Sequence, residues 1–254
     1  FMRWAHMAEP RFSPSGVMFN ISARNLQEYQ DYTAAFDSKA LPANYDPGYW
    51  SSMGPSTHVL GSGWNGGIGR VNCIAFHPWT SAIYYVGTPS GGLWKKDGAN
   101  TWEPLTDGLP AIGISGIELH RTDPYNTIYI LTGDGDAAET YSIGVLKTTN
   151  GGVTWQPTGL LWNVTDFVRG YKLLMHPTNS NIQYVAASTG IYKTTDGWAT
   201  YSLEKAGWFY DIEFKPGDPN TMYATDKYDF YKSTNGGDSW SATATGLPGF
   251  GTFR

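Results

Sequence analysis

Three carboxylates stand close together in Gly133-Asp134-Gly135-Asp136-Ala137-Ala138-Glu139-Thr140-Tyr141. Carboxylates at short intervals among glycines can turn several oxygens toward one hard cation, and calcium is the ion that takes such oxygen sets. The spacing is not that of the helix–loop–helix calcium loop with its closing bidentate Glu. A solvated turn held by its own Asx bonds is therefore the leading reading. Calcium held by Asp134, Asp136 and Glu139 is the second, and direct ligand chemistry that includes Tyr141 is the third.

A second group lies in Leu161-Trp162-Asn163-Val164-Thr165-Asp166-Phe167-Val168-Arg169, where Trp162, Asp166 and Arg169 share one extended connection. Trp208 and Tyr210 follow in the next connection of the same kind. Large amphipathic rings beside charged groups make a platform on which a sugar or a protein surface can stack. Packing between structural elements is the commoner role for such rings and competes with that reading. Cys73, the single cysteine, sits in the strand-like run 71–76 and reads as a buried, inert thiol.

The elements that position these groups are set by an internal repeat. Four segments align without gaps: Lys95 to Trp102, Thr148 to Trp155, Thr194 to Tyr201 and Ser233 to Trp240. In each, a Gly follows an Asp or Asn (Asp97, Asn150, Asp196, Asn235), and an aromatic stands five residues after it (Trp102, Trp155, Tyr201, Trp240). We call this segment the box. Asp-Gly and Asn-Gly are strong hairpin signals, because both residues tolerate positive φ and the side chain accepts backbone N–H bonds. The aromatic is expected to fold back over the hairpin into the sheet. These residues are thus structural rather than catalytic.

The boxes are 53, 46 and 39 residues apart, the length of one four-stranded propeller blade. Around each box the pattern repeats. An apolar run ends in a turn, as at Ile74 to Pro78 and Leu173 to Pro177; a second strand passes near Tyr84, Tyr129, Tyr184 and Tyr223; a third leads into the box. His77, His120 and His176 recur at the same turn position in successive blades, which spaces them a blade apart and favours turn packing over a metal site. The fold predicted is all-β: a β-propeller of four-stranded antiparallel blades, four of them here, in a larger ring of seven or more. Residues 61–254 hold blades 1–4 and the start of a fifth, with the chain continuing beyond Arg254. Residues 1–60 form an N-terminal extension with a short helix from Asn25 to Ala35. The stretch 49–55 within it supplies a closing outer strand.

Composition agrees with this and excludes other classes. Aromatics reach 15% and charged residues only 15%, with 31 glycines, which suits short strands joined by glycine turns. A net charge of -5 offers no footprint for nucleic acid. No apolar run is long enough to span a bilayer as a helix. Disulfides contribute nothing within a chain that has one cysteine.

At these residues the sequence resembles the Asp-box (BNR, sortilin-like) propellers, a group that includes sialidases, sortilin-type receptors and xyloglucanases. A closer likeness covers nearly the whole chain. It is to large secreted Bacteroidetes proteins that carry a C-terminal type 9 secretion signal. The strings 69–72, 87–94, 132–136 and 141–147 carry it, as does the opening from Arg3-Trp4 to Pro14-Ser15-Gly16. That resemblance implies a secreted or outer-membrane-surface protein with the secretion machinery as one partner. For activity it is less specific, since the fold hosts hydrolases and binding proteins alike. Sialidases clamp a carboxylate with three arginines, and the interior arginines here (Arg70, Arg121, Arg169) lack the sialidase sequence context. Xyloglucanase-like enzymes carry their base in the loop equivalent to 87–92, where this chain has Pro89. The expectation is a binding or scaffold module for an extracellular glycan or protein, leaning away from an enzyme. The alternative is a glycoside hydrolase whose carboxylates lie partly outside this segment.

Overall fold

The computed structural model describes residues 12, 15–16, 20–37, 69–98, 101–109, 112–136 and 140–243. The expected closing strand at 49–55, the crossing at 61–67, Glu139 and the start of a fifth blade lie outside these residues. Among them, blade 1 comprises β1 (Cys73–Phe76), β2 (Tyr84–Gly87), β3 (Leu93–Asp97) and β4 (Thr101–Pro104). Blade 2 comprises β5 (Ile114–Leu119), β6 (Ile128–Thr132), β7 (Gly144–Thr148) and β8 (Gln156–Leu161). Blade 3 runs through β9 (Gly170–Met175), β10 (Gln183–Ala187), β11 (Gly190–Thr194) and β12 (Ser202–Ala206). Blade 4 runs through β13 (Asp211–Lys215), β14 (Asp218–Thr225), β15 (Phe230–Ser233) and β16 (Ser241–Ala242). Each sheet is an antiparallel meander in chain order, and the four are the blades of a β-propeller.

Helix α1 (Ile21–Asp37) begins four residues before the predicted start. The reason is Asn20, whose Oδ1 accepts the Ala23 N–H at 3.0 Å and so caps the first turn. Its Nδ2 donates to the Val164 carbonyl at 2.8 Å, which ties the helix to the connection between blades 2 and 3.

The apolar core lies between blades rather than within them. Blades 1 and 2 close over Leu93, Ile114, Ile117, Ile130 and Trp155. Blades 2 and 3 close over Leu131, Val145, Leu173, Met175 and Trp198. Blades 3 and 4 close over Ile191, Ile212, Met222 and Trp240. Polar groups cross the same seams. Glu118 on β5 accepts the Met175 N–H of β9 at 3.1 Å, and the Arg121 guanidinium donates to the Met175 carbonyl at 3.1 Å. Tyr184 of blade 3 donates its phenol to the Gly236 carbonyl in the box of blade 4 at 2.7 Å. The recurring second-strand tyrosine that is fully buried in blade 1 is Tyr85 rather than Tyr84.

Three boxes share one hydrogen-bond network. The hydroxyl two residues before the Asp or Asn (Thr148, Thr194, Ser233) donates to its side-chain oxygen at 2.9, 2.9 and 2.8 Å. It also accepts the N–H of the residue four places on, Gly152, Trp198 or Gly237. The Asp or Asn oxygen then accepts the N–H of Thr154, Thr200 or Ser239. Blade 1 has Lys95 at the hydroxyl position and cannot build this network.

The box aromatics divide in a way the repeat does not suggest. Trp155 and Trp240 are buried against the preceding blade, and the Trp155 indole donates to the Leu105 carbonyl at 2.8 Å. Trp102 is 49% exposed, since its preceding side is covered by no blade among the described residues. Tyr201 is 45% exposed because Trp198 has taken its place in the seam. Trp198 stands where the other boxes have Gly152 and Gly237, all three at positive φ (69°, 96° and 82°). A bulky residue is strained there. The strain is offset by complete burial of the ring and by an indole N–H bond to Gln183 at 2.9 Å.

The turn histidines each serve their own turn. Nδ1 of His77 accepts the Trp79 N–H, Nδ1 of His176 accepts that of Thr178, and His120 meets the Thr122 hydroxyl. Cys73 is partly buried with its thiol against the Ile114 carbonyl, and burial pushes its pKa up to about 12.

Two measurements test this framework. Thr194→Val removes a buried hydroxyl that satisfies three groups of the third box, and urea unfolding should show a loss of about 1–3 kcal/mol. Glu118 is held at a pKa of about 7, mainly by burial, with Arg121 and the Met175 N–H pulling the other way. A raised acid pKa means the folded state keeps its proton longer than the unfolded one. Its contribution is therefore fullest below about pH 4.5 and is lost as pH rises through about 7. Glu118→Gln should remove that slope, so its stability relative to the parent should improve between pH 5 and pH 8.

Candidate functional site

In each blade the first-to-second turns and the box hairpins share one face. The second-to-third loops and the blade-to-blade connections share the other, here called the loop face. Three of the four second-to-third loops are short, spanning 88–92, 188–189 and 226–229, whereas the loop of blade 2 spans 133–143. The tight turn 88–92 closes on itself through Thr88 and Gly92, and its Pro89 carbonyl accepts the Thr140 hydroxyl at 2.8 Å. The acidic loop is thereby anchored to blade 1.

Asp134 has no solvent exposure, and its carboxylate is already engaged. Arg70 donates to Oδ2 at 2.5 Å, while Asn72 Nδ2 and the Asp136 N–H approach Oδ1 at 3.4 and 3.2 Å. Arg70 and Asn72 sit just ahead of β1, so this is a contact between blades 1 and 2. Asp136 is exposed and lies 3.8 Å from the other Arg70 amine. Glu139 falls outside the described residues. Among the described residues no group of three or more His, Cys, Asp or Glu is gathered for a metal ion.

Gly135 between the two carboxylates passes flat against the start of β9. A Cβ there would come within 2.6 Å of the Tyr171 ring and 2.8 Å of the Gly170 carbonyl. Tyr171 in turn joins the aromatic residues of the next connection. Its hydroxyl accepts the Trp208 indole N–H at 2.8 Å, and its ring lies 4.9 Å from Tyr210. The Arg169 guanidinium covers the Trp208 ring at 5.5 Å. Desolvation raises the Tyr171 pKa, so the phenol stays neutral and can accept that bond. Beside the cluster, Lys172 pairs with Glu213 at 2.6 Å and Asp211 at 3.6 Å. Burial works against the charge of Lys172, but these carboxylates more than offset it and raise its pKa.

The structure thus gathers Arg169, Trp208 and Tyr210 around Tyr171, with the backbone between Asp134 and Asp136 passing beside it and their carboxylates turned to Arg70. Trp162 instead packs edge-on against Tyr192, with centroids 5.6 Å apart, in the seam of blades 2 and 3. Asp166 accepts the Asn163 N–H at 2.8 Å and closes the 3-10 turn Val164–Asp166. Tyr141 meets Phe167 edge-on at 5.1 Å. Tyr171 and Asn72 were not among the residues singled out from sequence, and Arg70 was noted there only as an interior arginine. The available signal for Tyr171 is its alternation with Arg169, which puts the two on one side of an extended chain. The three interior arginines have separate partners: Arg70 with Asp134, Arg121 with Glu118, and Arg169 with the Trp208 ring.

No protein-family model matches the chain. Two curated relatives, each described as a xyloglucanase, are similar to it. The one from Hypocrea jecorina (strain QM6a) is 28% identical over 231 residues, covering 72% of this chain and 27% of the relative. The one from Paenibacillus sp. is 28% identical over 205 residues, covering 76% and 19%. The chain therefore spans about a quarter or less of the curated relatives it matches. Among solved structures, one described as an ancestral GH74 enzyme has a TM-score of 0.58 at 23% identity, covering 71% of this chain and 26% of that one. The GH74 xyloglucanase of Xanthomonas campestris has a TM-score of 0.56 at 20% identity, covering 71% and 31%. These structural likenesses bear on the fold. No helix among the described residues is long and apolar enough to cross a membrane.

Arg70→Gln would leave the Asp134 carboxylate buried without its cation. Breaking one side of a buried pair costs about 3–5 kcal/mol, and the partial exposure of Arg70 puts the expected loss near the lower end. In urea unfolding, the double variant with Asp134→Asn should recover much of it; strictly additive losses would show that the pair is not the cause.

Proposed function

We propose that this chain is part of a secreted or cell-surface propeller of the Asp-box kind that binds glycan on its loop face. The observation that carries this reading is the group Tyr171, Trp208 and Tyr210. Trp208 is 43% exposed although apolar, and it is held in place by its bond to Tyr171 and by the Arg169 guanidinium. A pyranose ring has an apolar C–H face that a fixed indole or phenol can cover, and polar edges that neighbouring side chains can hydrogen-bond. Holding the rings in advance lowers the ordering cost of binding. Similarity to xyloglucanases supports a carbohydrate as the ligand class.

The same similarity favours a second reading, a glycoside hydrolase with part of its site outside these residues. A glycosidase needs two carboxylates set across the bond to be cleaved. At the loop where the resemblance places one of them, this chain has Pro89 in a self-closed turn. Asp211 and Glu213 are close to each other but share one strand and one lysine, so they do not oppose each other. Binding is therefore the better supported role. The strings that resemble type 9 secretion substrates extend the reading to export by that machinery and display at the outer-membrane surface.

Isothermal titration of the 254-residue chain with β-glucan oligosaccharides tests the proposal. Binding is expected, with Trp208→Ala weakening it about tenfold or more while the melting temperature stays near that of the parent. Binding that survives this change would sink the platform. Release of reducing ends during the same incubation would favour the hydrolase.

A further inference from the structure

Phe167 is unexplained by the fold. Its backbone lies in the left-handed region at φ 57°, at the C-terminal end of the 3-10 turn, where a bulky residue is strained. Trp198 carries comparable strain but is compensated by full burial, whereas the Phe167 ring is 55% exposed and meets the edge of Tyr141. Strain held at an exposed aromatic points to use of that ring at the surface.

The chain after Phe167 runs through buried Val168, half-buried Arg169, buried Gly170 and half-buried Tyr171. Residues 167, 169 and 171 thus turn outward while 168 and 170 turn inward. Arg169 stands between two aromatic groups, Phe167 with Tyr141 on one side and Tyr171 with Trp208 and Tyr210 on the other. At about 3.3 Å per extended residue the row is at most roughly 13 Å long, which suits an oligosaccharide better than a single sugar.

Charge then selects among oligosaccharides. Near this row, Asp134 and Asp136 face Arg70, Asp211 and Glu213 face Lys172, and Asp166 accepts the Asn163 N–H. Arg169 forms no ion pair among the described residues; its guanidinium lies over the Trp208 ring and hydrogen-bonds the Tyr171 hydroxyl, which uses only part of its fork of donors. A planar, bidentate donor of this kind matches a carboxylate.

Resting on the glycan-binding reading, we infer that the site takes an acidic oligosaccharide. A uronate carboxylate pairs with Arg169, and flanking sugar rings stack on Phe167–Tyr141 and on Tyr171–Trp208–Tyr210.

The test is titration of the 254-residue chain with oligogalacturonate and with a neutral gluco-oligosaccharide of equal length, at low and high salt. The acidic ligand is expected to bind about tenfold more tightly at low salt, with the preference shrinking as salt screens it. Arg169→Gln should bring the ratio of acidic to neutral affinity close to one, with both affinities lowered as Trp208 loses the guanidinium that covers it. Phe167→Gly accepts the left-handed backbone, so it should hold or raise the melting temperature while weakening binding of the oligosaccharide. A merely structural role for the ring would instead lower the melting temperature and leave affinity unchanged. Equal affinity for charged and neutral ligands, or an Arg169→Gln variant that keeps the preference, overturns this inference and leaves glycan binding standing. Failure to bind either ligand, or capture of an acidic peptide alone, overturns both.

Discussion

A sheet of four short strands has two apolar faces and no means of covering either by itself. Everything else in this molecule follows from how those faces are closed. The cores lie at the three seams described, and the polar groups that cross them are as consequential as the apolar ones. The Arg121 guanidinium and the Glu118 carboxylate hold the backbone of Met175 from the neighbouring blade, and the Tyr184 phenol reaches the next box. Each blade is thus stable as a neighbour rather than alone, as in repeat proteins whose units share interfaces.

This arrangement divides labour between the two faces. On the box side, the hairpins of blades 2, 3 and 4 are short and bond within themselves through hydroxyl, carboxylate or carboxamide, and backbone groups. The loop side carries the irregular segments, among them the 133–143 loop and the connection from blade 2 to blade 3. Asp134 and Trp162 in these segments also join neighbouring blades, and exposed rings occur on both sides, Trp79, Trp102 and Tyr125 on the box side and Phe167 and Trp208 on the loop side.

The blades were legible from sequence because the box combines a turn signal with a fixed distance to an aromatic, and because that unit recurs at blade length. Part of its local chemistry was legible too, in the Asp or Asn oxygen that accepts a backbone N–H within the hairpin. What escaped depends on which side of a blade is covered. Trp102 and Tyr201 occupy the same box position as Trp155 and Trp240, yet only the latter two are buried. Nothing in the spacing says that Trp198 displaces Tyr201, since a glycine position does not advertise a ring. The candidate site was legible by residue type and only partly by arrangement. Arg70 lies 64 residues from Asp134, and their contact exists only once blades 1 and 2 are stacked. Trp162 shares its composition with Trp208, but the seam claims one and the surface keeps the other.

Trp198 also bears on how the blades depend on one another. The boxes at Asn150 and Asn235 place glycines at both left-handed positions, so their hairpins can form from local interactions alone. The box at Asp196 opposes its own backbone until Trp198 finds the interior between blades 2 and 3. Its hairpin therefore gains most of its stability only when a neighbouring blade is present to receive the ring. That ties the third box to the seam it fills, so the stability of its hairpin and the packing of blade 2 against blade 3 depend on each other.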